Sequence, residues 1–427
     1  MPIRCQVLGS EPPSNVIHRY SFSLCAAQPG MNRDTRLIAL ALLLWGVGEG
    51  LFLYIQPLYI EQLGADPVQI GGLLSIAGVV SAASFLPAGI LADRVSRKWL
   101  MVGGWVTGLI GVLSVGLARS WQGLIPGLLI YALSAYCIPV INAYLAHAVG
   151  GRHLARVFTT VFAGYAAGSV ISPTIGGWLA EATTMRMVYF AAAALFAVSM
   201  LAVTQVSPQP VYPQDKRKHR WRSLLNRRFL RFAAFVCLLF VAMYLGYPLA
   251  SNFLKDTGGW SVANIGTLGS FQALGTALLS PLLGRLSDGA AGQPPGSEGG
   301  EESPPRIGEE RAPPGRVGGL LVGQGLVWIS ALILLLAGAF PVLASGYLLR
   351  GAYQACRSLI QARGTALGGE ADRGLILGAT ETIIAAAQVF APYAAGLLYA
   401  GDPAYPLVAS LMLIPITLLL TMIGLRG

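Results

Sequence analysis

The chain runs to 427 residues, of which 54% are hydrophobic and only 11% charged, with a net charge of +10. A water-soluble globule of that make-up would lack the polar surface to cover itself, so the bilayer is its solvent. The positive charge does not point to nucleic acid, because the bases sit in short alternate loops and not along one soluble face.

Crossing about 30 Å of hydrocarbon takes roughly 20 apolar residues as a helix, with every backbone polar group satisfied inside the segment. In chain order such stretches are expected at 36–59, 70–92, 99–118, 123–146, 158–180, 186–206, 229–253, 264–284, 317–338, 340–361, 374–399 and 403–425. The expected fold class is an all-α membrane protein with 12 transmembrane helices in two pseudo-symmetric six-helix bundles. Residues 1–35 read as a cytoplasmic N-terminal tail. Within it Met31-Asn32-Arg33-Asp34 resembles a start placed just before the first helix, so a mis-called upstream start stands beside a disordered tail or a cleaved signal. The first bundle covers 36–206, a basic cytoplasmic linker 207–228 and the second bundle 229–427. Residues 289–316, dense in Gly, Pro and Glu, are expected to form a disordered cytoplasmic loop. The linker run from Lys216 to Arg222 serves as a topology anchor or meets anionic headgroups, at about 1 kcal/mol per base.

Of the 29 Lys and Arg residues, 25 fall on the side shared by both termini; the opposite side holds Arg119, Arg186 and Lys255, and Arg350 lies inside a span. The excess of bases on the cytosolic side of membrane proteins places both termini in the cytoplasm, in a multi-pass protein of the cytoplasmic (inner) membrane. The cysteines, Cys5, Cys25, Cys137, Cys237 and Cys356, are scattered without ligand spacing, so neither disulfide nor metal is expected. His18, His147, His153 and His219 lie outside the spans or at their edges, which argues against a histidine proton relay.

An ionisable group inside a bilayer costs about 2.5 to 3.5 kcal/mol even on the permissive insertion scale, so each one is partnered or functional. Three occur: Glu49, Arg350 and Glu381. Glu49 sits among glycines in Trp45-Gly46-Val47-Gly48-Glu49-Gly50, which lets neighbouring helices approach, and Gln56 follows on the same face two turns on. It is either a carboxylate that alternates between a proton and another partner, or one that only locks helices. Arg350 heads a stripe with Gln354, Arg357 and Gln361 at helical spacing, and Glu381, seven residues before Gln388, is a candidate ion-pair partner of Arg350 or Arg357. Other cavity candidates are Tyr136, Asn142, Tyr244, Tyr247 and Gln272, buried hydroxyls and amides that need partners. Tyr54, Tyr59 and Tyr347 lie near helix ends and read as interfacial belt residues.

Two motifs tie these elements together. Gly89-Ile90-Leu91-Ala92-Asp93-Arg94-Val95-Ser96-Arg97-Lys98 joins the second and third spans, and is partly echoed 195 positions later by Gly284-Arg285-Leu286-Ser287-Asp288. The first copy resembles the loop between the second and third helices of the major facilitator superfamily, with Ser96 where that family usually has glycine. The resemblance implies a cytosolic gate built on Gly89, Asp93, Arg94, Arg97, Lys98, Gly284 and Asp288. The fifth span carries Gly168-Ser169-Val170-Ile171-Ser172-Pro173-Thr174-Ile175-Gly176-Gly177, which resembles the antiporter motif of the superfamily's drug exporters in Gly168, Pro173, Gly176 and Gly177, with Ser172 in place of a glycine. The exporters' fourth-helix arginine has no counterpart, since 127–146 holds no base.

The resemblance implies a secondary active transporter that moves a small solute across the membrane by alternating access, coupled to protons, with multidrug-type efflux ahead of uptake of a sugar, organic acid or other nutrient. A transport-dead sensor or scaffold is a further alternative, and no nucleophile–base pair suggests an enzyme. No cofactor is expected beyond the proton gradient. Expected partners are the small-molecule substrate and the lipid bilayer, without nucleic acid and in a monomer.

Overall fold

The computed structural model describes residues 32–92, 94–149, 154–209, 226–288, 317–366 and 373–424. The expectations for the 1–31 tail, Asp93, His153, the linker run Lys216 to Arg222 and the 289–316 loop lie outside the described residues. Sixteen α-helical segments account for nearly all the rest. They are α1 Arg33–Leu53, α2 Gln56–Gln62, α3 Pro67–Ala92, α4 Arg97–Leu117, α5 Trp121–Leu133, α6 Cys137–Val149, α7 Leu154–Ala182 and α8 Met185–Thr204 in the first half. The second half contains α9 Arg227–Tyr244, α10 Ala250–Gly258, α11 Val262–Asp288, α12 Gly318–Leu336, α13 Phe340–Arg350, α14 Ala352–Ala366, α15 Arg373–Gly401 and α16 Tyr405–Gly424.

Every expected stretch is occupied by one helix or by a pair in tandem. Four stretches are interrupted: α1/α2 at Tyr54–Ile55, α5/α6 by a 3-10 turn over Ser134–Tyr136, α9/α10 between Tyr244 and Ala250, and α13/α14 at Gly351. These are the first, fourth, seventh and tenth stretches, so the interruptions repeat with the same period in both halves. Among the described residues nine helical stretches are by themselves long and apolar enough to cross a membrane. Large side chains such as Trp178, Leu336 and Ile423 lie on the exterior, more than half exposed, as a lipid-facing surface requires. The chain is a multi-pass membrane protein.

Helix ends are set by local chemistry. At the start of α3, Asp66 Oδ1 accepts from the Gln69 amide at 2.8 Å while Gln69 Oε1 accepts from the Asp66 amide at 3.0 Å, a reciprocal capping box. Ser120 caps α5, Thr184 caps α8 and Asn226 caps α9 with side-chain oxygens. Gly259, at φ +62°, closes α10 in the left-handed region that a side chain would disfavour.

The buried core fixes how the halves meet. At the end away from the termini one continuous cluster takes residues from both halves, among them Phe52, Leu58 and Tyr189 with Leu249, Leu268 and Tyr399. At the end carrying the termini the core divides: Trp105, Val140 and Leu145 anchor a cluster in the first half, and Phe240, Ala352 and Ile384 a separate one in the second. Helix α7 packs along α11 and α3 along α15. The two bundles are therefore sealed together at one end and parted at the other.

Candidate functional site

The interrupted helices bring the polar residues to the middle of the molecule. In α1 the glycines flanking Glu49 each give way to a neighbour: a Cβ on Gly46 would run into the Tyr165 carbonyl of α7, one on Gly48 into the Phe196 ring of α8, and one on Gly50 into Ser172. Close approach through glycine thus places Glu49 against α7, where the Tyr165 hydroxyl donates to its Oε2 at 2.9 Å. A cavity of about 330 Å³ opens beside it, lined by Trp45, Glu49, Trp105, Tyr131, Phe162 and Tyr165 together with Ser81 and Cys137. Its walls are stacked: Trp45 lies 4.0 Å from Phe196, nearly parallel, and meets Trp105 edge-on at 5.3 Å. Trp105 is fixed in turn by its indole N–H, which donates to Ser199 Oγ at 2.7 Å, and Ser199 donates to the Ala41 carbonyl at 2.7 Å.

The second cluster belongs to the other half. Arg350, at the end of α13 and only 3% exposed, places its guanidinium 4.1 Å from the centre of the Tyr247 ring. Tyr244, Tyr347 and Tyr353 complete a cage of four phenols. Gln272 Nε2 donates to the Tyr247 hydroxyl at 3.4 Å, and Gln388 Nε2 to that of Tyr353 at 3.0 Å. Tyr54, at the break between α1 and α2, approaches this cluster from the first half. Its ring fills the space left by Gly269 of α11.

Of the residues singled out by sequence, Glu49 lies on the first cluster, and Tyr244, Tyr247, Gln272, Arg350 and Gln388 lie in the second. Glu381 pairs with Arg357, at 2.8 Å, and not with Arg350. Gln354 is exposed and lies just past the break at Gly351. Gln56 opens the short helix α2, just past the break at Tyr54–Ile55. Tyr136 donates to the Leu100 carbonyl at 3.1 Å over Gly103 and ties α4 to the fourth stretch without lining the cavity. Asn142 Oδ1 is buried without a partner.

The belt reading fails for three tyrosines. Tyr59 and Tyr347 are 3% and 2% exposed, Tyr59 donates to the Val115 carbonyl, and Tyr54 is inserted between the halves. What sequence reasoning missed was the aromatic wall of Trp45, Trp105, Phe162 and Tyr165; the one available signal was Trp45, a helical turn before Glu49.

The ends of the molecule differ in the same sense as the cores. At the end away from the termini, Lys255 of α10 pairs with Glu61 of α2 at 2.6 Å, and Asn252 bonds the same carboxylate. Glu181 Oε2 accepts from the Ala263 amide at 3.0 Å, Thr174 Oγ1 bonds Ser270 Oγ at 2.7 Å, and the Tyr393 amide donates to Ser75 Oγ at 3.0 Å. Of the antiporter-like residues, Gly168 and Gly176 press against α1, whereas Pro173 and Gly177 meet Gly266 of α11. At the other end each half keeps its own core. Gly284 has open space around it, Arg94 is exposed, Arg97 bonds Gln209 at 3.2 Å within its own half, and Lys98 lies over the Trp99 ring. Asp93 lies outside the described residues, and the Gly89 and Asp288 surroundings are likewise not described.

Residues 38–295 match the family described as Major Facilitator Superfamily. The chain is 27% identical over 266 residues to the multidrug resistance protein MdtG of Proteus mirabilis (strain HI4320), covering 57% of this chain and 64% of that protein. It is 28% identical over 288 residues to MdtG of Escherichia coli O81 (strain ED1a), covering 62% and 69%. The matched part thus spans just under two thirds of the first of these relatives. Among solved structures, a bacterial homologue of the human lysosomal transporter Spinster, inward-facing and occupied, superposes with a TM-score of 0.71 at 17% identity, over 94% of this chain and 98% of that one. The nucleoside transporter NupG gives 0.67 at 14% identity, over 93% and 99%. Likeness at those identities is one of fold.

Proposed function

The chain belongs to the major facilitator superfamily, and from that premise we propose that it exports a small amphipathic solute across the bacterial cytoplasmic membrane in exchange for protons. The observation that carries this is Glu49, a carboxylate in mid-bundle on a cavity of aromatic walls, with Tyr165 donating to it. A membrane-embedded carboxylate that faces a cavity can take a proton from one side and yield it to the other as the halves rock about it. The aromatic walls hold an apolar solute by area and stacking, not by a fixed set of hydrogen bonds. The resistance proteins with which the chain aligns support export over uptake. With 25 of 29 bases on the termini side, that side is the cytoplasm. The described conformation is then inward-open. The protein works as a monomer, each pair of bundles enclosing its own path, and performs no covalent chemistry on the solute. Glu381, already paired with Arg357, is held as the second candidate for the proton.

Reconstituted vesicles carrying an imposed pH gradient and a panel of cationic, anionic and zwitterionic aromatic solutes provide the test. Solute addition should dissipate the gradient in the antiport direction, and Glu49→Gln should abolish this while retaining solute binding and solute–solute exchange. Gradient-driven accumulation by the Gln variant at the parent rate would remove Glu49 from coupling. Proton and solute moving in the same direction would make the protein an uptake permease.

A further inference from the structure

The Arg350 cage holds more hydrogen-bond donors than the protein satisfies. A guanidinium has five N–H groups and no acceptor. Here its one hydrogen bond among the described residues is a long one, Nη2 to the Met243 carbonyl at 3.5 Å. No carboxylate lies within ion-pair distance, since the described carboxylates that pair with bases are Glu61 and Glu381, on Lys255 and Arg357. The surrounding phenols add donors. Tyr247 oxygen already accepts from Gln272, which leaves its own hydrogen to give. Tyr353 accepts from Gln388 in the same way, and the hydroxyls of Tyr244 and Tyr347 make no hydrogen bond among the described residues. Stacking on Tyr247 steadies the cation but satisfies no N–H. A buried charge with that surplus lacks a negative partner that the chain itself does not supply. The cage also faces the seam between the halves, because Tyr54 of the first half reaches into it.

We propose that Arg350, with the hydroxyls of Tyr244, Tyr247 and Tyr347, is an oxyanion-binding subsite for the transported solute. The solute class is an aromatic or otherwise apolar molecule bearing a carboxylate or a phosphonate-like group. Its apolar body lies toward the aromatic cavity beside Glu49, and its oxyanion is gripped by the planar fork of the guanidinium. The inference rests on the transport reading for its physiological meaning, but binding at equilibrium tests it without transport, so the two can fail separately.

The probes are benzoate, phenylphosphonate and the neutral near-isostere benzamide, measured by equilibrium dialysis and thermal shift on the purified full-length protein. At least one of the two anions should bind saturably and at least tenfold more tightly than benzamide, and whichever binds better identifies the oxyanion. Arg350→Gln should weaken that anion at least tenfold, and Arg350→Lys, which keeps the charge but loses the fork, by a smaller factor. Equal affinity of the parent for benzamide and both anions overturns the proposal, as does anion binding by a folded Arg350→Gln protein within twofold of the parent. If Arg350→Gln does not fold, the benzoate–benzamide ratio on the parent still decides, and Tyr247→Phe, which retains the stacking ring and removes one donor, should lower anion affinity two- to tenfold.

Discussion

Ser172 stands where the exporters' motif has glycine, and Gly50 is the residue that makes room for it. A Cβ at Gly50 would collide with Ser172 Oγ, while Ser172 Cβ lies 3.2 Å away, a distance that slight relaxation absorbs. That hydroxyl is buried and has no partner, so it contributes nothing to set against its desolvation. Gly50→Ala should therefore destabilise the protein by about 1 to 3 kcal/mol as an overpacked core does. Ser172→Ala should be neutral or stabilising, and the double variant should recover most of the loss. A double-mutant cycle by thermal or denaturant unfolding in detergent checks this, and additive effects would show that the two positions do not share the space. A second residue-scale test is Trp105→Phe. It removes the 2.7 Å bond to Ser199 and leaves a buried hydroxyl with only its donor bond to Ala41, an expected loss of about 1 to 3 kcal/mol in the same assay. Both effects rest on packing that only the folded arrangement shows. Sequence reading noted the glycines around Glu49 but had no means of pairing Gly50 with position 172.

At the scale of elements, hydropathy located the helices well and their breaks not at all. A window of 20 apolar residues registers the same total whether the helix runs straight or bends, so the breaks at Tyr54–Ile55, Ser134–Tyr136 and Gly351 passed unseen. Helical spacing assigned Gln56 and Gln354 to the faces of Glu49 and Arg350, and each of those spacings runs across a break. Arg357 and Glu381, on α14 and α15, form one of the two pairings that the spacing left open. The seam between α7 and α11 is an element-scale device too. Gly177 meets the Val262 carbonyl and Gly266 meets that of Pro173, so backbone lies on backbone with nothing between. A leucine at Gly266 should wedge this seam apart. In a background freed of native cysteines, Thr174→Cys should then label faster from the side away from the termini than it does with Gly266 intact. Unchanged labelling would mean that the seam is not where the outer end closes.

For the whole molecule, the decisive asymmetry is that one core joins both halves at the end away from the termini while two separate cores hold the other end. Neither state is frozen, since a shift of about 1.4 kcal/mol changes the ratio of two conformations tenfold. The contacts that bias it should therefore be few and modest. Glu61 and Lys255 are a fitting pair: they join the halves at 2.6 Å, yet their side chains are 26% and 43% exposed, so solvent and salt screen them. Asn252, bonded to the same carboxylate and buried, adds a contact that salt does not weaken. Lys255→Glu should replace attraction by repulsion and move the population toward the outward-open form, several-fold at low salt and less at high salt. Glu61→Lys combined with Lys255→Glu should restore the parent distribution. Distances between spin labels placed on α3 and α15 near Val68 and Leu397, measured across that salt range, would report it. A distribution indifferent to both the reversal and the salt would show that the apolar core at this end holds the closure alone, and that the ion pair merely accompanies it.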